Sequence, residues 1–366
     1  MGFIAYNVIM ALQLAAVLYI QRYSRYPAPI RSTAGFVMAS IGIGALLGLN
    51  LYPSEYEDHT FAMMNMWAHG LFGHLPILLV GQAWLLRRRK RFFSALFVVL
   101  ALVNMAVAVD MFWLEPYDLQ VRQVTVTSPK LSRRYRVAVL ADLQTDRPGD
   151  YERSALLRAM SLEPDFMVMP GDYVQGIDLE QQASAERALN AIMRDIKFRA
   201  PLGVYAVQGN VDSGGDWPAI FRGVDVSTYV DTTTTAVGDI QLTALSFDDS
   251  FNTKIIVPSS ERFHIVVGHG PDFALGRVDA DLLLAGHTHG GQVQLPGIGP
   301  LVTFSRVPND WADGVTELPG GRTLIVSRGI GMERDYAPRL RFFCRPEIVV
   351  IDLVPEPGGT EVTPLQ

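Results

Sequence analysis

The chain has 366 residues, of which 49% are hydrophobic, and its formal net charge is −6. The charge is unevenly divided, because residues 1–118 carry eight Lys/Arg and six Asp/Glu, a net +2, whereas the remainder carries 23 and 31, a net −8. An acidic second region disfavours a protein that wraps the backbone of DNA or RNA, and the single cysteine, Cys344, excludes an intramolecular disulfide.

Four apolar stretches dominate the first third of the chain. Each is about as long as the ~20 residues that a helix needs to cross the hydrocarbon core of a bilayer. A cleaved signal peptide followed by core helices fits less well, because no basic residue precedes the first stretch and four stretches follow one another. We therefore predict a transmembrane region over residues 1–118 and a folded domain over residues 119–366. The predicted spans are Phe3 to Ile20, Ala34 to Leu51, Phe61 to Leu86 and Phe92 to Trp113.

Cations mark two of the loops between these spans. Because positively charged loops stay on the cytoplasmic side of a membrane, the loops after the first and third spans are predicted to be cytoplasmic. The loop after the second span has acidic residues and no Lys or Arg, so it falls on the opposite side, as does everything after Trp113. We therefore predict a multi-pass protein of the cell (inner) membrane with an extracytoplasmic folded domain. The charged residues are Arg22, Arg25 and Arg31, then Glu55, Glu57 and Asp58, then Arg87, Arg88, Arg89, Lys90 and Arg91.

Three ionisable residues, His69, His74 and Asp110, fall within or near the end of these spans. Ionisable groups at membrane depth often mark function, since burying them in lipid is costly. We interpret the histidines as neutral groups that face neighbouring helices, and Asp110 as a residue that reaches the interface. A transporter is disfavoured, because the spans are few and lack paired charges.

After a predicted linker from Leu114 to Lys130, strands and helices alternate. The strands are short apolar runs that stop at polar residues, and the second helix has apolar residues at helical spacing. Such alternation predicts a largely parallel sheet. The predicted elements are a strand at Tyr135 to Ala141, a helix at Tyr151 to Ser161, a strand at Asp165 to Met169, a helix at Leu179 to Lys197 and a strand at Gly203 to Val207.

Strands with fewer intervening helices fill the rest of the chain. We predict an α/β (α+β) sandwich of two sheets packed face to face with helices outside, following a four-helix transmembrane region. The tail from Pro355 to Gln366 is predicted to be disordered. The later strands are Gln241 to Phe247, Phe263 to Gly268, Asp281 to Ala285, Arg322 to Ser327 and Glu347 to Leu353.

Polar residues follow five of the predicted strands. Ligands of open α/β sheets bind beyond the carboxyl ends of the strands, so these side chains are expected to meet at one rim, where glycines at 171, 209, 268 and 286 allow close backbone approach. A single Asp after a strand is more often a cap or turn residue, but clustered ligands at strand ends mark a site. Carboxylate, amide and imidazole donors suit two divalent ions such as Mn, Fe, Zn or Mg. The donors are Asp142, Gln144, Asp172, Asn210, His269, His287 and His289.

The motifs that carry these donors stand in a recognisable order. ADLQ, GD, GN, GHG and GHTHGG resemble the pattern D-x-H, G-D, G-N-H, G-H, G-H-x-H of the calcineurin-like metallophosphoesterase superfamily. The segments GHTHGGQVQLPGIGP, VSRGIG and RPEIVVIDL resemble its membrane-associated bacterial branch. The resemblance implies an αββα sandwich that hydrolyses phosphoester or pyrophosphate bonds with a metal-bound hydroxide.

By position, the resemblance also implies a role for each donor. Asp172 would bridge two ions, and Asp172 and Asn210 are the residues expected to act in catalysis. Gln144 stands where the family has a histidine, and its amide oxygen can still bind a hard ion. Asp142 and His289 would hold the first ion, and Asn210, His269 and His287 the second.

A second departure from the family is Val211, which replaces the histidine credited with binding phosphate or protonating the leaving group. Without a general acid, esters with poor leaving groups lose most of the ~10²–10⁴-fold that such catalysis contributes. Diesters and pyrophosphates lose less. Asp212, normally an orienting partner, is then expected to be a turn residue.

The leading interpretation is hydrolysis of a phosphodiester, pyrophosphate or lipid-linked phosphate at the extracytoplasmic face of the membrane. Its partners would be a phosphorylated small molecule or lipid-linked substrate and membrane lipid, with no nucleic acid. The alternative, favoured by Gln144 and Val211, is a degenerate, non-catalytic module that binds metal or ligand and regulates a membrane partner.

His264, inside a strand, is interpreted as structural. Four arginines either meet a substrate phosphate or lie on the solvated surface: Arg328, Arg334, Arg339 and Arg341.

Overall fold

A computed structural model describes residues 2–24, 28–51, 56–212 and 216–356. The chain forms two compact units, Met1–Leu114 with Asp335–Arg339, and Glu115–Arg334 with Leu340–Gln366. The boundary between residues 118 and 119 stays a prediction. The predictions for Arg25, Glu55 and residues 357–366 lie outside the described residues, as do those for the side chains of Glu57 and Asp58.

The first unit consists of helices that are apolar over most of their length. The four predicted stretches are all helical, and each helix is long and apolar enough to cross a membrane, judged by length and composition. These candidate spans are Gly2–Tyr23, Pro29–Leu51, His59–Leu86 and Arg91–Tyr117. The helices are α1 (Gly2–Tyr23), α2 (Pro29–Leu51), α3 (Tyr56–Ala68), α4 (Leu75–Leu86) and α5 (Arg91–Val109), with π-helical turns at His69–His74 and Asp110–Leu114.

Both histidines of the third span have hydrogen-bonding partners within this unit. His69 Nδ1 lies 2.9 Å from the backbone oxygen of Asn65, one turn earlier. His74 Nε2 lies 2.9 Å from Oδ1 of Asn7 in α1. The His74 contact joins two helices, as the sequence interpretation expects, and polar pairs of this kind stabilise helix association in lipid.

The second unit contains the strands. In its described residues they are β1 (Gln120–Ser128), β2 (Tyr135–Val139), β3 (Phe166–Met169), β4 (Val204–Val207), β5 (Ser227–Tyr229), β6 (Thr233–Val237), β7 (Ile240–Ala244), β8 (Ile256–Val257), β9 (His264–Val267), β10 (Arg277–Val278), β11 (Leu282–Ala285), β12 (Gln294–Leu295), β13 (Gly299–Pro300), β14 (Gly314–Leu318), β15 (Arg322–Val326) and β16 (Glu347–Pro355). The α-helices are α6 (Asp150–Ser161), α7 (Leu179–Asp195) and α8 (Phe247–Ser250), and 3₁₀ turns lie at Glu115–Tyr117, Trp217–Phe221, Pro271–Leu275, His289–Gly291 and Asn309–Trp311.

Two six-stranded sheets form the sandwich within the described residues, with orders β1-β16-β2-β3-β4-β5 and β14-β15-β11-β9-β7-β6. The central strands are parallel in both sheets: β2 to β4 in one, and β7, β9, β11 and β15 in the other. Their carboxyl ends therefore lie at one edge of each sheet. The predicted fold class is confirmed.

Apolar residues of alternating strand positions form the core between the sheets. Val139 and Phe166 of one sheet pack in the same buried cluster as Ile265 and Leu284 of the other. On the outer face of the first sheet, Leu156 of α6 and Leu189 of α7 are fully buried in a second cluster with Met167 and Met169 of β3. Burial of each such side chain contributes about 1.5–3 kcal/mol, which fixes the strands whose ends carry the polar motifs.

The predicted linker from Leu114 to Lys130 is wrong, because most of it is strand β1. This strand pairs in parallel with β16, with Val121 opposite Ile348. The alternation in QVRQVTVTS is typical of a half-exposed strand. Three further strands of the two six-stranded sheets were not predicted, namely β5, β6 and β14, and neither were the short strands β8, β10, β12 and β13. With β1, the strands β5, β6 and β14 are the four edge strands of the two six-stranded sheets.

Candidate metal centre

The predicted donors lie just beyond the ends of five central strands. Asp142 follows β2, Asp172 follows β3 and Asn210 follows β4, while His269 follows β9 and the pair His287 and His289 follows β11. Hydrogen bonds join the loops that carry them. The backbone N–H of Gln144 donates to the backbone carbonyl of Asp172 over 2.8 Å, and the backbone N–H of His287 donates to Oδ1 of Asp142 over 3.0 Å.

Two groups of ligating atoms form at this rim. Within each group the candidate atoms all lie within 4.8 Å of one another. Asp172 belongs to both groups, so its carboxylate stands between two possible cation positions. The first group is Asp142, Asp172 and His289, and the second is Asp172, His269 and His287.

Asn210 joins the second group through its side-chain oxygen. Its Oδ1 lies 2.8 Å from His269 Nε2 and 3.0 Å from His287 Nδ1. The remaining nitrogen of His269 lies 2.8 Å from the carbonyl of Pro170, which fixes the orientation of the ring. An amide oxygen and two imidazole nitrogens therefore converge on one point.

Several buried polar atoms of the cluster lack hydrogen-bond partners among the described residues: Gln144 Oε1, Asp172 Oδ2 and His289 Nε2. His269 Nε2 does lie 3.4 Å from Asp172 Oδ2, a charge contact without hydrogen-bond geometry. All three side chains are at most 2% exposed, and an unpaired buried polar group costs about 1–3 kcal/mol. Oxygen and nitrogen lone pairs left unpaired in one buried cluster are what divalent cations require, so these residues fit a metal centre.

Burial and proximity shift the acid–base properties of the cluster. Burial, opposed by the charge of His269 and reinforced by that of Asp172, raises the pKa of Asp142 to about 7. Burial also opposes ionisation of Asp172, but the attraction of His269 outweighs it and leaves the pKa of Asp172 lowered. Burial disfavours the charged form of His269, yet Asp172 and Asp142 raise its pKa to about 9, whereas burial and His269 lower the pKa of His287 to about 4. The carboxylates therefore create a negative potential that favours cations.

Five of the predicted donors have left-handed backbone conformations. Positive φ is uncommon outside glycine, costs about 1–3 kcal/mol and clusters at functional sites. The φ angles are 51° at Asp142, 32° at Gln144, 58° at Asp172, 69° at His287 and 48° at His289. This concentration of strain at the strand ends is independent of the ligand geometry and marks the same residues.

Two neighbours of Asp172 hold its loop in place. A Cβ on Gly209 would lie 2.1 Å from Asp172 Oδ1, so this position requires glycine. Asp212 differs from its expected role as a turn residue. Its Oδ2 accepts from the amides of Asp172 and Gly209, each over 2.8 Å, and its Oδ1 accepts from the amide of Tyr173 over 3.0 Å. Asp212 therefore fixes the backbone that presents Asp172.

Three of the four arginines are engaged inside the second unit rather than solvated. Arg328 pairs with Asp313 through two bonds of 2.9 Å. Arg334 is 8% exposed and donates to the carbonyl of Gln144 over 2.9 Å. Arg341 is fully buried, donates to backbone carbonyls and lies 3.5 Å from His289 Nδ1. Arg339, in the first unit, is exposed.

His264 is structural, as expected. It is buried within β9, and its Nε2 lies 2.8 Å from the hydroxyl of Thr243 on the neighbouring strand β7.

Two residues at the rim were not predicted from the sequence, Gln175 and Glu333. Gln144 Nε2 donates to Gln175 Oε1 over 3.0 Å and to Glu333 Oε2 over 2.9 Å. Glu333 also lies 3.8 Å from His289, through Oε1 and Nε2. Its loop follows β15, a central parallel strand, so the rule that identified the other donors could have found it.

Residues 135–291 match the family model for the calcineurin-like phosphoesterase. These residues form a domain of the calcineurin-like phosphoesterase family. This confirms the predicted family and hydrolase activity, and phosphoesterases of this family use a dimetal centre, in agreement with the two predicted divalent ions. The membrane-associated branch is suggested by the apolar helices alone.

Similar proteins come from several bacteria. The chain is 29% identical over 262 residues to the uncharacterized metallophosphoesterase YkuE of Bacillus subtilis. The matched region covers 66% of this chain and 87% of that protein. It is 26% identical over 235 residues to the phosphodiesterase YaeI of Escherichia coli, covering 60% and 82%. Among solved structures, a dimetal phosphatase from Danio rerio matches with 12% identity and a TM-score of 0.32, covering 54% of this chain and 88% of that one.

Proposed function

We propose that this metallophosphoesterase hydrolyses a phosphodiester or pyrophosphate bond in a substrate held at the extracytoplasmic face of the cell (inner) membrane. The observation that carries the proposal is the position of Asp172 in two ligand groups at once. A shared carboxylate is the arrangement that dinuclear hydrolases use to hold two ions about 3.5–4 Å apart. A lipid-linked phosphate is the substrate class that membrane attachment favours.

The proposed roles of the donors follow from the two groups. Asp172 would be shared by the two ions, and the amide oxygen of Asn210 would complete the second position. When bound, the ions activate a water and neutralise phosphate charge. The chain keeps the donors in place through the strained loops and through Asp212. Asp142, Gln144 and His289 hold the first ion, and Asn210, His269 and His287 hold the second.

The preference for diesters and pyrophosphates rests on Val211. Its amide donates to Asp172 Oδ1 over 3.0 Å, so position 211 borders the bridging carboxylate. Valine cannot donate a proton to a departing oxygen, which disfavours esters with poor leaving groups. The name of the Escherichia coli relative, phosphodiesterase, supports the same substrate class.

We expect the purified full-length chain, in detergent with added Mn²⁺, to hydrolyse bis(4-nitrophenyl) phosphate and a nucleoside diphosphate sugar faster than 4-nitrophenyl phosphate. A chelator should lower these rates by about 10³-fold or more, because metal ions contribute several kcal/mol to such reactions. Colorimetric release of nitrophenol and phosphate analysis measure the rates, with Mg²⁺, Zn²⁺ and Fe²⁺ tested in parallel. Absence of hydrolysis with every ion would refute the proposed function.

The extracytoplasmic orientation is supported by the distribution of cations. In the described residues, Arg87 to Lys90 lie between α4 and α5, Arg91 is the first residue of α5, and Arg31 lies in the first turn of α2. The loops before α2 and α5 are predicted to be cytoplasmic, which puts the end of α5 on the other side.

The single cysteine allows a direct test of this orientation. Cys344 is fully buried, so a membrane-impermeant maleimide is expected to react weakly with the unmodified chain. A cysteine at the exposed Glu180 should be labelled in intact spheroplasts, whereas one at the exposed Arg88 should be labelled after permeabilisation. Gel-shift analysis of the two variants measures the outcome, and the reverse pattern would contradict the orientation.

The non-catalytic module is less well supported than the enzyme. A regulatory module does not need buried donor atoms that lack hydrogen-bond partners among the described residues, such as Asp172 Oδ2 and His289 Nε2, or strained loops around them. Family membership also favours hydrolysis.

A further inference from the structure

We propose that Glu333 is an additional carboxylate ligand of the first metal position, next to Gln144 and His289. This inference deepens the proposed function and rests on its dinuclear centre. It supplies a donor from a loop after β15 to the site in which the family histidine is replaced by Gln144.

The orientation of the Gln144 amide is fixed by its neighbours. The backbone amide of Arg334 donates to Gln175 over 2.8 Å, so the accepting atom of Gln175 is its oxygen, Oε1. That oxygen also contacts Gln144 over 3.0 Å, so the contacting atom of Gln144 is its nitrogen, Nε2. The same nitrogen donates to Glu333 Oε2. Gln144 therefore presents its oxygen, Oε1, to the interior of the cluster.

Gln144 Oε1 is buried and has no hydrogen-bond partner in the described structure, and Gln144 itself is 0% exposed. An amide oxygen in this state is available as a metal ligand. Because Gln175 and Glu333 both engage the nitrogen, the amide cannot rotate without losing two hydrogen bonds. The pair therefore positions Gln144 as a ligand.

Glu333 itself reaches the first position through its second oxygen. While Oε2 holds Gln144, Oε1 lies 3.8 Å from His289 Nε2, another buried atom without a hydrogen-bond partner in the described chain. Two donors about 2.0–2.2 Å from one ion can lie this far apart. The Glu333 side chain is 15% exposed, so its carboxylate lies at the edge of the cluster.

This donor set has a chemical consequence. With Asp142, Asp172, Gln144 and Glu333, the first position offers four oxygen donors and one imidazole. Oxygen-rich sites favour harder ions such as Mn²⁺ and Mg²⁺, whereas imidazole suits Zn²⁺. The second position has two imidazoles, so the two positions should differ in metal preference.

The test is Mn²⁺ binding by the full-length chain, measured by calorimetric titration together with elemental analysis. The wild type is expected to bind two ions per chain. Glu333→Gln should keep one site unchanged and weaken the other by about 10–100-fold or more, while Glu317→Gln, at an exposed position on β14, should match the wild type. Unchanged affinity at both sites of Glu333→Gln would overturn the proposal.

A double-mutant cycle separates ligation from positioning. If Glu333 acted solely by holding Gln144, adding Glu333→Gln to Gln144→Ala would change nothing further. A direct ligand should instead weaken the first site again by about 10-fold or more in that background. If Glu333→Gln fails to fold by circular dichroism, Glu333→Asp replaces it. That variant retracts the carboxylate by one methylene, so a weakened first site is expected and an unchanged one overturns the proposal.

Binding and hydrolysis fail in different ways. A wild type that binds two ions but hydrolyses no phosphoester refutes the proposed function, while a weakened site in Glu333→Gln still supports Glu333 as a ligand. A wild type that binds no divalent cation overturns both.

Discussion

Replacing Asp172 with asparagine is expected to remove hydrolysis and to weaken both metal positions at once. Asp172 is the residue common to the two ligand groups. Asparagine keeps the shape of the side chain, and its Oδ1 can still accept from the amide of Val211. The variant loses the negative charge that lies between the two cation positions. The loss of several kcal/mol of charge stabilisation corresponds to a rate at least about 10³-fold lower.

The Asp172→Asn experiment separates metal loss from unfolding. Metal content per chain, kcat/KM for bis(4-nitrophenyl) phosphate and the circular dichroism spectrum are measured on the same preparation. Asp195→Asn, on the exposed end of α7, is the matched control and should retain both activity and metal. If folded Asp172→Asn retained two ions and more than a tenth of the wild-type rate, the bridging role would be wrong.

The central part of the fold was predictable, because fully buried strands have a strong sequence pattern. Strands such as β3 and β11 are continuous apolar runs that stop before Pro170 and Gly286, and both were predicted within one residue of their observed ends. Within the two six-stranded sheets, the strands that were missed are the edge strands. In β6, for example, three consecutive threonines replace the apolar run. An edge strand is half-exposed and its pairing partner is remote, as with β1 and β16, so local periodicity carries less information.

The candidate site was likewise predictable in part. Each predicted donor stands directly after a strand, and the structure brings the donors together because parallel strands end at one edge. Supporting residues could not be predicted in this way. Glu333 contacts Gln144 across 189 positions of sequence, and Asp212 acts on Asp172 across 40. Their roles depend on which loops become neighbours, and that is decided by strand order.

The fate of the arginines has a similar cause. Arg341 and Arg334 are charged residues outside the predicted strands, so their side chains are expected to contact solvent or a substrate phosphate. The structure instead buries both, because backbone carbonyls such as those of Gly331 and Gln144 accept their hydrogen bonds. A buried guanidinium with many acceptors satisfies loops that have no regular backbone pairing.

Replacing Val211 with histidine is expected to raise activity on esters with poor leaving groups. Methyl phenyl phosphate, whose leaving group is weakly acidic, should gain about 10²-fold in kcat/KM, whereas methyl 4-nitrophenyl phosphate should change little. An imidazole at position 211 would supply the proton donor that valine lacks, and general acids contribute about 10²–10⁴-fold. The backbone contact from position 211 to Asp172 does not involve the side chain, so the substitution should preserve it.

The pH profile identifies the origin of any gain in Val211→His. An imidazole acts as a general acid in its protonated form, so the gain should be largest below its ordinary pKa of about 6.5 and should fall as the pH rises through it. Val211→Gln, which is polar and of similar size but does not titrate, is the matched control and should show no such profile. Equal gains for both leaving groups, independent of pH, would mean that the side chain improves substrate binding instead. No gain for either ester would mean that the leaving group departs away from position 211, and the diester preference would then need another cause.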